Sequence, residues 1–293
     1  MENAIRKAEV LIEALSYIRT FRNRLIVIKL GGSAMEDSQA LTATLLDVVF
    51  METVGMRPIL VHGGGKPIDR AMARSGLEAR KIQGRRYTDE ATLNIVVKVL
   101  TDEINNNIVS QIRNLGGRAM GMHSGSLQCL FGEKLFLDQP GQEPIDLGRV
   151  GRVTRVEGDL LENLYLAGVV PVIPSLAHDD SGQWLNVNAD TAAAAVAANL
   201  KAEKLVLLTD TPGILMDRQD EGSLLRSLDP QKCQELITQG VIDQGMIPKV
   251  EACLESLRAG VRKTHMIDGR KRHSLLLEIY TDRGIGTEIA IGS

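Results

Sequence analysis

An α/β protein built on a mostly parallel sheet is predicted from three features of the chain. Short apolar runs at residues 25–28, 58–61, 169–174 and 204–209 read as buried strands. Three of them open at once into polar, glycine-bearing loops: Lys29-Leu30-Gly31-Gly32, His62-Gly63-Gly64-Gly65 and Asp210-Thr211-Pro212-Gly213. Helical patterns lie between the strands, and 293 residues suit one large α/β unit or two lobes.

The first helix is expected over residues 2–20. Ile5, Ala8, Leu11, Ile12, Leu15 and Ile18 recur at helical spacing, with Arg6, Lys7, Glu9, Glu13 and Arg19 between them. It precedes the first strand, so its apolar stripe needs a cover from the body or from another subunit. The stretch 25–33, Leu-Ile-Val-Ile-Lys-Leu-Gly-Gly-Ser, then organises the chain. Lys29 at the mouth of a buried strand is costly unless an anion meets it, and Gly31 and Gly32 let a ligand approach the backbone. A solvated lysine before a flexible turn is the competing reading. A helix over 39–53 leads to the strand at 58–61. The loop 62–67 and a helix over 68–75 repeat the strand–glycine–helix unit, a natural anion site. It is not the nucleotide P-loop, because Gly65-Lys66 is followed by Pro67. Lys66 itself points to solvent on the simpler of two readings.

Gly84-Arg85-Arg86-Tyr87-Thr88-Asp89 holds either solvated arginines or a bidentate clamp for carboxylate or phosphate. Thr88 is the expected cap of one helix over 90–114, which Gly116-Gly117 stops. Residues 119–151 suit short antiparallel strands or a hairpin. After a helix over 160–167 and a strand over 169–174, Asn186-Val187-Asn188-Ala189-Asp190-Thr191 crowds more amide and acid groups onto one helix start than a cap requires. Gly245-Met246-Ile247-Pro248-Lys249 opens a helix over 250–259, and Lys249 near a helix N-terminus again asks for an anion. Residues 263–267 read as a late strand and 274–279 as an apolar run.

Composition removes several classes. A net charge of −3 and 3% aromatic residues give no footprint for nucleic acid or a membrane surface. Cys129, Cys233 and Cys253 lack metal spacing and suit a reducing compartment. No apolar run is long enough to span a bilayer, and Glu9 and Glu13 interrupt any signal core. A cytoplasmic enzyme is the expectation.

Taken together, Lys-Leu-Gly-Gly, His-Gly-Gly-Gly, Gly-Arg-Arg-Tyr-Thr-Asp, Asn-Val-Asn-Ala-Asp, Leu-Thr-Asp-Thr-Pro-Gly-Ile and Gly-Met-Ile-Pro-Lys resemble, in order, the motifs of the N-acetylglutamate kinases of the amino-acid kinase superfamily, from about residue 25 to the end. The resemblance implies a three-layer α/β/α sandwich on an open, mostly parallel sheet, with an N-terminal helical extension (1–24), an N-terminal lobe for N-acetyl-L-glutamate and dimerisation (25–180) and a C-terminal lobe for ATP (181–293). By matching positions, Lys29 and Lys249 bind the transferring phosphoryl group and Asp190 orients them. Gly64, Gly65, Arg86 and Asn186 meet the substrate. Gly31, Gly32, Asp210 and Gly213 lie by the nucleotide. Mg²⁺ is held mainly through ATP, with no protein metal cluster. The chemistry agrees: a carboxylate nucleophile is ionised at neutral pH and needs no general base, so positioning and charge stabilisation suffice. Kinases of the same superfamily acting on glutamate, aspartate, carbamate or UMP are the near alternatives, and a non-catalytic arginine sensor the distant one. Arg86 and Asn186 argue against the former, Lys29, Asp190 and Lys249 against the latter.

The N-terminal helix and the ending His273-Ser274-Leu275-Leu276-Leu277-Glu278, then Thr281-Asp282-Arg283-Gly284-Ile285-Gly286-Thr287, resemble the arginine-sensitive branch. That implies feedback inhibition by arginine at His265, Glu278 and Gly284, a homo-hexamer built as a trimer of dimers through interlaced helices, and a PII-type signalling protein as a further partner. A buried C-terminal strand with a surface glutamate is the plain alternative for this ending.

Overall fold

The structure, a computed structural model, describes every residue except Ser33, residues 124–126, Pro140, Gln244, Asp282, Arg283 and Ser293, together with the side chains of Lys7 and Gln142. The end of the first glycine loop and the Asp282-Arg283 part of the terminal motif thus lie outside the described residues. In chain order, α1 (Glu2–Phe21) precedes β1 (Leu25–Leu30), α2 (Ser38–Thr53), β2 (Arg57–His62) and α3 (Gly65–Arg74). The ribbon β3 (Lys81–Ile82) and β4 (Arg85–Arg86) leads to α4 (Glu90–Lys98), a π-helix (Val99–Asn105) and α5 (Asn106–Asn114). Then come β5 (Ala119–Gly121), β6 (Leu130–Gln139), β7 (Gln142–Val156), α6 (Gly158–Leu166), β8 (Val170–Pro174), β9 (Leu176–His178) and β10 (Trp184–Val187). The last part holds α7 (Ala189–Asn199), β11 (Lys204–Thr209), β12 (Ser227–Leu228), α8 (Pro230–Thr238), α9 (Ile247–Arg258), β13 (Lys263–Asp268), α10 (Ser274–Ile279) and β14 (Thr287–Ala290).

Eight strands form one open sheet in the order β12-β14-β13-β11-β1-β2-β8-β5. Only β13 and β14 run antiparallel within it. Side chains of a strand alternate between faces, and the core obeys this. Leu25, Val27, Leu205 and Leu207 pack on one face with Leu161 of α6, Val196 of α7, Leu236 of α8 and Leu254 of α9. Ile26, Ile28, Val206 and Leu208 pack on the other with Leu45 of α2, Ile112 of α5 and Leu275 of α10. The result is the expected α/β/α sandwich. β6, β7, β9 and β10 close into a small barrel beside it, so residues 119–151 hold a long hairpin rather than only short strands.

Several local expectations change. The helix over 90–114 is broken in its middle by the π-helix. Its cap is Asp89, whose carboxylate accepts from the Thr92 N–H at 2.8 Å, while Thr88 is buried and turned toward Arg86 and Asn186. The third glycine of the His-Gly-Gly-Gly loop is already the first residue of α3. The run 274–279 is a short helix, not a strand, and its Glu278 is buried rather than on the surface. Lys66 is exposed, but its ammonium is 2.5 Å from Glu36 instead of free in solvent. On α1, Val10, Leu11 and Ile12 are 57%, 70% and 70% exposed, so the body leaves the stripe uncovered. Only the end of the helix is anchored, by Tyr17 against Tyr280 and Phe21 under Lys204.

Asp89→Ala should cost about 1 kcal/mol, the usual worth of an N-cap. Urea unfolding at neutral pH measures it, and an unchanged midpoint would return the cap to Thr88.

Candidate active site

The strand order reverses beside β1: the chain passes from β1 to β2 on one side, and β11 returns on the other. Ligands of open α/β sheets sit in the crevice at such a reversal, outside the carboxyl ends of the strands. A cavity of about 520 Å³ lies there. Its walls are the ends of β1 (Lys29, Gly31, Gly32), β2 (Gly63, Gly64, Gly65) and β11 (Thr209, Asp210), with Asn186, Asp190 and Lys249 across from them.

At its floor the Asp190 carboxylate is 2.8 Å from the Lys29 ammonium and 3.2 Å from that of Lys249. Burial pushes the Asp190 carboxyl up, but the two ammonium groups outweigh it, so it stays ionised below its ordinary range. Two cations on one anion leave one positive charge unbalanced, facing the cavity. Each member comes from a separate element. Lys29 is the penultimate residue of the buried strand β1. Asp190 sits in the first turn of α7, whose cap Asn188 accepts from the N–H groups of Asp190 and Thr191. Lys249 is in the first turn of α9, which has Pro248 at its start and no side-chain cap.

Glycine is required at two of the walls. A Cβ on Gly31 would stand 2.5 Å from the Leu208 carbonyl oxygen, and one on Gly64 would stand 2.8 Å from Leu100 and Ile104. Gly64 also caps α3 without a side chain, so the first N–H groups of that helix are offered to an anion.

The predicted substrate residues meet on one wall. The Arg86 guanidinium donates to the Gly65 carbonyl at 3.2 Å and lies 2.5 Å from Asp69, pinned against α3. Asn186 donates to the Thr88 hydroxyl at 3.1 Å, which donates to the Arg86 carbonyl at 2.9 Å. Thr88 therefore ties the two together, a role hidden by reading it as a helix cap. Asp69 was also missed, being one acid among many in an amphipathic helix. Gly213 does not line this cavity. It lies in an adjoining hollow of about 80 Å³ with Thr211, Ile214 and Met246. The Thr209 hydroxyl, bonded to the Thr211 carbonyl at 2.8 Å, fixes the turn between the two spaces.

His265 and Glu278 form a separate, buried pair, with the half-buried Gly284 beside it. His265 Nδ1 is 2.7 Å from Glu278 Oε1, while Oε2 accepts from the N–H groups of Ile285 and Gly286 at 2.6 and 3.0 Å. Both oxygens of Glu278 are thus engaged, and Gly284 is so close that a Cβ would come within 2.8 Å of Oε2. Lys204 Nζ, which the sequence did not single out, lies 3.3 Å from His265 Nε2 and 4.9 Å from the Phe21 ring of α1. Burial lowers the pKa of both Lys204 and His265. A lysine opening a strand that is buried along its whole length was the signal available.

Among the described residues no cluster of three or more His, Cys, Asp or Glu could hold a metal, and no helix is long and apolar enough to cross a membrane. The sequence profile of the amino acid kinase family matches residues 24–268. The chain is 44% identical to an acetylglutamate kinase of Syntrophus aciditrophicus (strain SB) over 297 aligned positions, 99% of each protein. It is 49% identical to one from Nostoc sp. over 97% of this chain and 93% of that protein. Among solved structures, N-acetylglutamate synthase from Neisseria gonorrhoeae, complexed with coenzyme A and N-acetyl-glutamate, superposes with a TM-score of 0.84 at 26% identity. This chain spans 63% of that synthase, and 97% of this chain is matched. The same synthase has also been solved with coenzyme A and L-arginine, at a TM-score of 0.80 over 95% of this chain and 64% of that one. A Giardia lamblia carbamate kinase bound to AMP-PNP shares the fold, with a TM-score of 0.64 at 14% identity over 92% of this chain and 99% of that one.

Asp190→Asn keeps the shape at the floor and removes its charge. The lowered folded-state pKa means that the ion pairs stabilise above the unfolded pKa of about 4, and that this stability is lost as pH falls through the folded value. The gap between wild type and Asp190→Asn in urea unfolding should reach roughly 3 kcal/mol near neutral pH and close as pH falls through the lowered folded value. A gap that does not change with pH would separate the carboxylate from the lysines.

Proposed function

Because the chain belongs to the amino acid kinase family, among its acetylglutamate kinases, we propose that it transfers the γ-phosphoryl group of ATP to the side-chain carboxylate of N-acetyl-L-glutamate, yielding N-acetyl-L-glutamyl 5-phosphate in arginine biosynthesis. The observation that carries this reading is the Lys29–Asp190–Lys249 bracket at the floor of a glycine-walled cleft.

In the proposed mechanism Arg86 holds the α-carboxylate of the substrate, on the wall it shares with Asn186. Asp69 aims the guanidinium, and Asn186, oriented by Thr88, meets the groups around the α-carbon. The nucleophile is already an anion, so no residue removes a proton. The obstacle is repulsion between two anions and the charge spread over the phosphoryl oxygens. Lys29, Lys249 and the N–H groups of Gly31, Gly32, Gly64 and Gly65 offset that charge where it develops, and Asp190 keeps the two ammonium groups apart and aimed. ATP enters from the side of Asp210, with its base toward the hollow at Gly213. Mg²⁺, held mainly through the nucleotide, would supply charge neutralisation at its phosphates. The sheet then divides between an acyl-amino-acid lobe (25–180) that also forms the dimer and a nucleotide lobe (181–293), and closure of the two excludes water. Buried thiols at Cys129, Cys233 and Cys253 suit a cytoplasmic setting.

Feedback inhibition by arginine belongs to the same proposal. The solved synthase complex with L-arginine supports it from outside, and the buried cluster supports it from within. Arginine would displace His265 or the Ile285 and Gly286 N–H groups from Glu278 and lie against α1 through the Lys204–Phe21 contact. The uncovered stripe on α1 is the surface that would interlace dimers into a hexamer.

ADP release that depends on N-acetyl-L-glutamate tests the activity. Lys29→Ala or Lys249→Ala should lower kcat on the order of 10²–10³-fold with little change in substrate KM, since the charge acts mainly in the transition state. Near-normal kcat in either variant removes that lysine from the mechanism. For regulation, deletion of residues 2–20 should turn hexamers into dimers and weaken arginine inhibition while kinase activity persists. A full-length protein that is dimeric and indifferent to millimolar arginine would overturn that part.

A further inference from the structure

His62 ends β2 and is fully buried immediately before the glycines of the cleft wall. Its Nδ1 lies 3.2 Å from the carbonyl oxygen of Gly63. Its Nε2 lies 3.0 Å from Nδ2 of Asn105, which also donates to the Val172 carbonyl at 2.9 Å. These contacts admit one arrangement of protons. A carbonyl oxygen only accepts, so Nδ1 carries the hydrogen. Nε2 is then a lone pair, and the Asn105 amide spends one proton on it and the other on Val172. Burial pushes the His62 pKa down to about 4, in keeping with a neutral ring.

The sequence pays attention to Asn105 in an unusual way. It is the last residue of the π-helix that interrupts the expected α-helix, and it is wholly buried. Such widened turns often occur at functional sites. Gly121 at the end of β5 leaves room for the amide, because a Cβ there would collide with Asn105 Oδ1. The two groups of a trans peptide point in opposite directions. With the Gly63 oxygen held toward the buried ring, the Gly64 N–H is turned away from it, on a segment that lines the cleft and caps α3 without a side chain.

We propose that His62 and Asn105 are positioning residues for the phosphoryl-transfer site: Asn105 fixes the His62 tautomer, His62 Nδ1–H holds the Gly63 carbonyl toward the core, and the Gly64 N–H is thereby fixed as an anion donor in the cleft. This rests on the kinase reading above, and it makes the π-helix part of the active-site support.

The test separates the two ring nitrogens in the full-length protein. The amide nitrogen of His62→Asn replaces Nδ1, whereas the amide of His62→Gln reaches the place of Nε2 and abandons Gly63. His62→Asn should retain kcat within about tenfold, and His62→Gln should lose on the order of 10²-fold in kcat with KM for ATP little changed, the scale of one lost oxyanion donor. A merely structural role would lower the melting temperature of both without separating their kcat values. Equal losses in the two variants, or a more active Gln variant, would overturn the proposal. Should neither variant fold, long-range proton–nitrogen NMR of isotope-labelled histidine in the wild-type protein decides: an Nδ1–H tautomer for His62 upholds the proposal, and an Nε2–H tautomer overturns it. A wild-type protein that releases no ADP with N-acetyl-L-glutamate would refute the kinase reading, while the tautomer measurement would still stand.

Discussion

The Asp190 carboxylate is the constraint on which the rest of the site depends. Two ammonium groups within 2.8 and 3.2 Å of one buried carboxylate repel each other and are costly to desolvate. The arrangement survives because the three side chains arrive on rigid supports: a strand buried on both faces and the first turns of two helices packed on one face of the same sheet. Moving α9 relative to β1 would pull Lys249 from Asp190, so the charge geometry reports directly on the position of the C-terminal part of the chain against the first strand.

The sheet makes that geometry possible by where it reverses. β1 has β2 on one side and β11 on the other, and its alternating side chains supply both hydrophobic layers. With both faces consumed by packing, polar function is left to the strand ends. There the backbones run so close that Gly31 cannot carry a side chain beside Leu208. The space saved becomes the cavity, and the same residues that close the core therefore open the cleft.

The parts legible in the sequence were those with a local signature. Strand runs, glycine loops and the lysines at strand or helix starts have a period or a cost visible without tertiary information, and Lys29, Gly64, Arg86, Asn186, Asp190 and Lys249 all line one cleft. Gly213 fell just outside it because a motif shows neighbourhood in the chain, not which side of a turn faces a cavity. Thr88 looked like a cap because its type suits one, yet Asp89 does that work and Thr88 bonds to a residue 98 positions away. Nothing local distinguishes these two. The π-helix was likewise invisible: Val99–Asn105 reads as ordinary helix, and the contact between its last residue Asn105 and His62 joins positions 43 apart in the chain. Lys204 drew no notice as the first residue of the buried run 204–209, though its partner His265 lies 61 residues further on.

The two ends of β11 carry different chemistry, which limits how the proposed arginine site can speak to the cleft. Lys204 opens the strand in the cluster with His265 and Glu278, and Thr209 closes it at the cavity. Five residue steps separate them, on the order of 17 Å in a strand. All six residues of β11 are buried, and it pairs in parallel with both β1 and β13. A strand held this way does not stretch or slip by fractions of a residue, since a slip turns every side chain to the wrong face. A signal from one end to the other would therefore travel as displacement of whole elements around the sheet. α1 and α10 are the candidates, because each touches the distal cluster: Phe21 of α1 lies against Lys204, and Glu278 of α10 against His265. α10 also packs on α2, the helix that follows the first glycine loop. Occupancy of the distal cluster would thus bear on the loop beside Lys29 through α10 and α2 while β11 itself stays fixed.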